Sequence, residues 1–184
     1  MNHFYHEIQG WFIYQSIYDQ AITDAADGAH FVEIGSWRGR SSAYMAVAIL
    51  NSNKNIRFDC VDTWLGSLDE EVHQTDPAVV NATLYTEFLN NMAPVAHVVT
   101  PHRMHSQEAA LLYDNKSLDL VMIDAGHSYT DVLADIRAWL PKVKSGGTIA
   151  GDDYAWPGVN QAVTELIPNA HIMKSIGCWS LLVG

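Results

Sequence analysis

The stretch that decides the fold is His30-Phe31-Val32-Glu33-Ile34-Gly35-Ser36-Trp37-Arg38-Gly39-Arg40-Ser41-Ser42. Phe31, Val32 and Ile34 form a short apolar run that reads as a buried parallel strand. A glycine-bearing turn follows, and Ser41-Ser42 reads as the cap of a helix over residues 43–50. Strand, turn and helix together make a nucleotide-type cradle, with Gly35 and Gly39 expected to admit a ligand close to the backbone. The spacing Glu-x-Gly-x-x-x-Gly lacks the middle glycine that lets a dinucleotide's pyrophosphate approach. A ligand without a pyrophosphate fits better.

Outward from that stretch, strand-like and helix-like segments alternate. Residues 56–61 alternate as a second strand ending at Asp62, with Trp64 close behind. Asp62 stands where an acid can hold ribose hydroxyls or cap a turn; Trp64 can shield a base or fill the core. Residues 63–76 read as an acidic loop over the site, Asp76-Pro77 as a helix start, and residues 80–92 as that helix. Residues 95–100 supply a third strand, and Ser106-Gln107-Glu108 opens a short helix. Residues 118–123 are a fourth strand, running into Asp124-Ala125-Gly126-His127, and Ser128 with Asp131 starts the next helix. Lys144 to Gly147 punctuates, residues 148–151 lead to Asp152-Asp153, and one more helix precedes two strands joined at Gly177.

This alternation predicts one domain: a Rossmann-like, doubly wound, seven-stranded and mostly parallel α/β sheet. Its C-terminal strand is antiparallel, and helices cover both faces. Residues 1–28 form an N-terminal helical segment, with Tyr5, Ile8, Trp11, Phe12, Tyr18 and Ile22 at helical spacing, and 29–184 the core. That segment either packs on the domain or forms a substrate wall.

The 184 residues carry a net charge of −11, which argues against a nucleic-acid surface but admits a cation. No apolar run reaches the length of a membrane span, and no basic-then-apolar leader opens the sequence. Cys60 and Cys178 lack metal-type spacing and read as reduced core residues, with a cytoplasmic setting as the default. Homo-oligomerisation is left open.

Ligands of such sheets bind outside the carboxyl ends of the strands, where Asp62, Asp124, Asp152 and Asp153 all fall. Carboxylates crowded into one crevice repel unless a cation sits between them, and an all-oxygen set suits Mg²⁺, Mn²⁺ or Ca²⁺. His127 is either a general base or a locally bonded helix-start histidine.

The segments beginning at Glu33, Val61, Ser117, Asp135 and Gly146 together resemble small class I S-adenosylmethionine-dependent methyltransferases, of the metal-dependent catechol and macrolide-sugar O-methyltransferase type. The resemblance implies S-adenosylmethionine as cofactor. Glu33, Gly35, Ser36 and Gly39 would then surround its methionine part, Asp62 its ribose, and Ser106 with Gln107 its adenine, with Asp124 and Trp64 nearby. Asp124, Asp152 and Asp153 would hold a divalent metal, Mg²⁺ above all, and His127 would be the base toward a small-molecule hydroxyl. A non-catalytic cofactor-binding module is the rival reading, and a nicotinamide-dependent oxidoreductase is disfavoured by the glycine spacing.

Overall fold

The computed structural model describes every residue except Leu68, so that part of the stretch expected as an acidic loop lies outside the described residues. Seven strands form one sheet: β1 His30–Ile34, β2 Arg57–Asp62, β3 Val99–Arg103, β4 Leu118–Ile123, β5 Val143–Gly151, β6 His171–Met173 and β7 Cys178–Leu182. Their order is β3-β2-β1-β4-β5-β7-β6, with β1 to β5 parallel and β7 antiparallel to both its neighbours. The expected sheet is therefore present.

Among the described residues the α-helices are α1 Gln15–Asp24, which precedes the sheet, and α2 Arg40–Ser52, α3 Glu71–Thr75, α4 Pro77–Val80, α5 Leu84–Met92, α6 Ser106–Ala110, α7 Tyr129–Trp139 and α8 Pro157–Leu166, which connect its strands. Successive strand residues point to opposite faces, so each central strand serves two cores. Phe31, Phe58, Cys60, Leu120 and Met122 face the core shared with α1, α2 and α5. Val32, Ile34, Val61, Val121 and Ile123 face the core shared with α7 and α8.

Local differences from the sequence reading have identifiable causes. Residues 5–25 are not one helix: a one-turn 3-10 helix, Tyr5–Glu7, is separated from α1 by an irregular stretch through Gly10 at φ +137°. That stretch packs Phe12 and Tyr14 inward. Ser41 and Ser42 lie inside α2 and do not cap it; Gly39, at φ +87°, occupies the N-cap. Ser42 instead donates to the buried Glu33. The expected helix over residues 80–92 is divided, because Ala82 at φ +55° interrupts it between α4 and α5. Its start is as expected, with the Asp76 carboxylate accepting from the Ala78 N–H.

The third strand begins later than expected because Ala93–Val95 winds into a 3-10 turn. The fifth begins earlier: β5 runs through Lys144 to Gly147, with its register on β4 shifting between Leu118 and Leu120. Both cysteines are free and buried in strands, as expected. No helix among the described residues is long and apolar enough to cross a membrane.

Candidate active site

A cavity of about 480 Å³ opens at the carboxyl ends of β1, β2 and β4. The β1–α2 turn forms its floor. Gly35 adopts φ +87°, and a Cβ there would stand 1.8 Å from the Asp124 carbonyl oxygen. The glycine thus serves the close crossing of two strand ends, and it also lines the cavity. Gly39 answers a different need: a Cβ there would meet Met92 and Phe88 of α5, and it does not border the cavity.

Glu33 is fully buried beneath the floor. Its carboxylate accepts from Tyr18 Oη at 2.7 Å, from Ser36 Oγ at 2.8 Å and from Ser42. Glu33 and Ser36 therefore brace the turn from below and are not cavity walls. A buried carboxylate is tolerable only with such a set of donors.

Asp62 ends β2 and lines the cavity. Its two oxygens accept from the Trp37 N–H and the Trp64 N–H, at 2.8 and 2.7 Å. Burial pushes its carboxyl up in spite of these backbone donors. Trp64 belongs to the core: its ring packs on Tyr85 and Phe88, and its Nε1–H donates to the Trp37 carbonyl. The expectation that it shields a base is corrected. The position after β2 is at a sheet end, but a left-handed backbone (φ +53°) turns the ring inward.

Ser106 and Gln107 line the cavity on the β3 side. Asp135 of α7, which the sequence did not single out as a site residue, lines the cavity beside them. Its readable signal was an acid sharing a helix face with Val132, Ile136 and Trp139. The loop over the site contributes Gly66, Ser67, Asp69 and His73. His73 stacks on Trp37 at 3.9 Å, and Arg38 anchors the segment through paired bonds to Asp76 and one to Glu87.

Beside the cavity, Asp124, Asp152 and Asp153 bring one carboxylate oxygen each to within 4.8 Å of one another. They stand at the ends of β4 and β5, which are neighbours in the sheet. Burial, and then the charge of Asp152, push the Asp124 carboxyl well above the usual carboxylate range. The neutralising contacts are few: Tyr14 Oη donates to Asp124 at 2.7 Å, Cys178 Sγ to Asp152 at 3.1 Å, and His127 Nε2 lies 3.0 Å from Asp153. Tyr14 was missed because it does not share the helical spacing read in Tyr5, Ile8, Trp11, Phe12, Tyr18 and Ile22.

This donor set fits a hard divalent cation. It is all oxygen, its span is no wider than an oxygen shell of roughly 2.3–2.6 Å radius, and its carboxylates repel one another. His127 stacks on Trp156 at 4.6 Å, and its backbone N–H donates to Asp69 at 2.7 Å. Burial alone would lower the imidazole's pKa, but Asp153, Asp69 and Glu70 together raise it. His127 therefore belongs to the carboxylate side of the site and does not line the main cavity.

Residues 32–154 match a family model described as a methyltransferase domain. No curated protein matches the sequence. Among solved structures, the O-methyltransferase NovP superposes with a TM-score of 0.71 at 18% identity, over 91% of this chain and 78% of that one. The calicheamicin methyltransferase CalS11 gives a TM-score of 0.63 at 17% identity, over 92% and 77%. TomG from Streptomyces achromogenes, an O-methyltransferase of tomaymycin synthesis solved with SAM, gives 0.61 at 14%, over 94% and 82%.

Proposed function

The chain belongs to the methyltransferase-domain family, and on that footing we propose that it carries the methyl group of S-adenosylmethionine to a small-molecule hydroxyl oxygen beside a bound divalent cation. The observation that carries this reading is the adjacency of two features. A cavity of about 480 Å³ ends at Asp124, and Asp124 is also one of three clustered carboxylates. One residue thus stands between a cofactor-sized space and a cation-sized one.

Asp124, Asp152 and Asp153 would hold the cation, an oxygen-preferring divalent ion of the Mg²⁺, Mn²⁺ or Ca²⁺ kind. Such an ion lowers the pKa of a hydroxyl bound to it. Tyr14 and Cys178 orient two of the carboxylates by donating to them. His127, whose Nε2 lies 3.0 Å from Asp153, would in its neutral form act as the base toward the acceptor hydroxyl. Asp62 offers the cofactor's ribose a carboxylate already fixed by two backbone N–H groups. Transfer of a methyl group from a sulfonium cation to an oxygen anion neutralises both, so much of the rate enhancement comes from holding the two in line.

The test is formation of S-adenosylhomocysteine over a panel of sugar, aliphatic and aromatic hydroxyl acceptors, with Mg²⁺ or with a chelator. Turnover should require Mg²⁺. The Asp152→Asn/Asp153→Asn variant, altered outside the main cavity, should lose turnover while keeping its affinity for S-adenosylhomocysteine. Wild-type turnover in that variant would rule out the cation's role.

A further inference from the structure

The negative charge of the site finds no cation among its own walls. Among the described residues, none of the chain's ten lysines and arginines borders the cavity or the cluster of Asp124, Asp152 and Asp153. The two arginines of the β1–α2 turn are the nearest in sequence to its floor, and both are engaged elsewhere. Arg38 is held by Asp76 and Glu87, and Arg40 donates to the Ile8 carbonyl at 3.0 Å. Carboxylates, in contrast, continue past the cluster. Asp69 and Glu70 each approach Nδ1 of His127 to 3.6 Å, while Nε2 of the same ring faces Asp153. His127 is 9% exposed, yet its Nδ1 makes no hydrogen bond to either acid. One imidazole therefore stands between two groups of acids. A divalent cation would not reverse the sign, since three carboxylates would hold its two charges.

We infer that the site selects its acceptor by charge, taking a neutral or ammonium-bearing hydroxyl compound and rejecting one that carries a carboxylate or phosphate, with Asp69 and Glu70 as specificity-determining residues. An anionic group needs donors such as Lys or Arg to replace its hydration, and these walls offer none. Placed near Asp69 and Glu70 it would meet like charge, which costs more in a partly dry pocket than in bulk water. An ammonium group would instead find two carboxylates that are each more than two-thirds buried. Their attraction for it is screened less than that of a fully exposed acid.

The inference rests on the acceptor reading above, and calorimetric titration of the intact protein with Mg²⁺ and S-adenosylhomocysteine present separates the two. The probes are dopamine, 4-methylcatechol and 3,4-dihydroxyphenylacetate. All three bring a pair of hydroxyls to a bound cation, and they carry positive, zero and negative charge. Wild-type protein should bind dopamine at least about tenfold more tightly than the carboxylate, with 4-methylcatechol between them. The Asp69→Asn/Glu70→Gln variant should bring that ratio to within about threefold. An asparagine oxygen can still accept from the His127 N–H, as Asp69 does at 2.7 Å, so the loop keeps its hold. A merely structural role for the two acids would weaken all three probes alike and leave the ratio standing, which overturns the inference. Equal affinity of wild-type protein for dopamine and the carboxylate is equally fatal. Protein that binds S-adenosylhomocysteine but none of the three probes would overturn the acceptor reading, and the inference with it.

Discussion

Gly35 meets two demands with one missing side chain. Its φ of +87° lies where L-residues are strained, and a methyl group would stand 1.8 Å from the Asp124 carbonyl oxygen. Gly35→Ala should therefore cost about 3 kcal/mol or more of stability, measurable by urea unfolding, because neither strand end can retreat without opening the sheet. Asp135 supports a prediction of the opposite kind. Burial pushes its carboxyl up to about 6, against 3.8 ordinarily, so the folded protein binds more protons than the unfolded chain between those values. Its contribution to stability is then fullest below about pH 4 and is lost as pH rises through 6, by roughly 3 kcal/mol at most. Asp135→Asn has no charge to bury. Measured by urea unfolding, the variant's stability relative to wild type should improve from pH 4 to pH 7, and an unchanged difference would contradict the assignment.

Among the elements, the segment of residues 63–76 and the β1–α2 turn behave as one unit. Arg38 of the turn reaches the Asp76 carboxylate through both terminal nitrogens, at 3.0 and 2.7 Å, and Glu87 through Nε at 2.9 Å. Arg38 and Asp76 are both under 10% exposed, so removing one leaves the other's charge stranded. Arg38→Met should cost roughly 3 kcal/mol and speed hydrogen exchange in α3 and α4 more than in α7 or α8. Uniform acceleration would mean that the pair does not pin this segment. The sequence disclosed that a loop covered the site and that Asp76-Pro77 began a helix, since those signals are local. It did not disclose the Arg38 anchor or the stack of His73 on Trp37, since both join residues more than thirty positions apart.

Over the whole molecule, the alternation of strand and helix was readable because burial on two faces leaves a period in the sequence. Acids at strand ends were readable for a related reason: in a parallel sheet all those ends meet along one edge. The structure brings Asp62, Asp124, Asp152 and Asp153 there, although 91 positions separate the first from the last. What could not be read is which way a side chain turns once it arrives. Trp64 turns into the core, Gly39 serves the packing of α5, and Glu33 supports the turn from beneath. Asp135 lies on an apolar face, where spacing alone announces packing, and Tyr14 falls outside the helical spacing of its neighbours. The acidic chain, at −11, also favours the two cationic species that the account requires, a sulfonium and a divalent metal.

The measurement closest to the central claim is a thermal-shift titration of the intact protein with S-adenosylhomocysteine, with and without Mg²⁺ and with NAD as the comparison. At about 100 times its dissociation constant a ligand adds about 2.7 kcal/mol, a rise of roughly 5–10 °C for a domain of this size. The account predicts that rise with S-adenosylhomocysteine, a further rise when Mg²⁺ is added, and no response to NAD. A response to NAD alone, or to neither nucleotide, would contradict it.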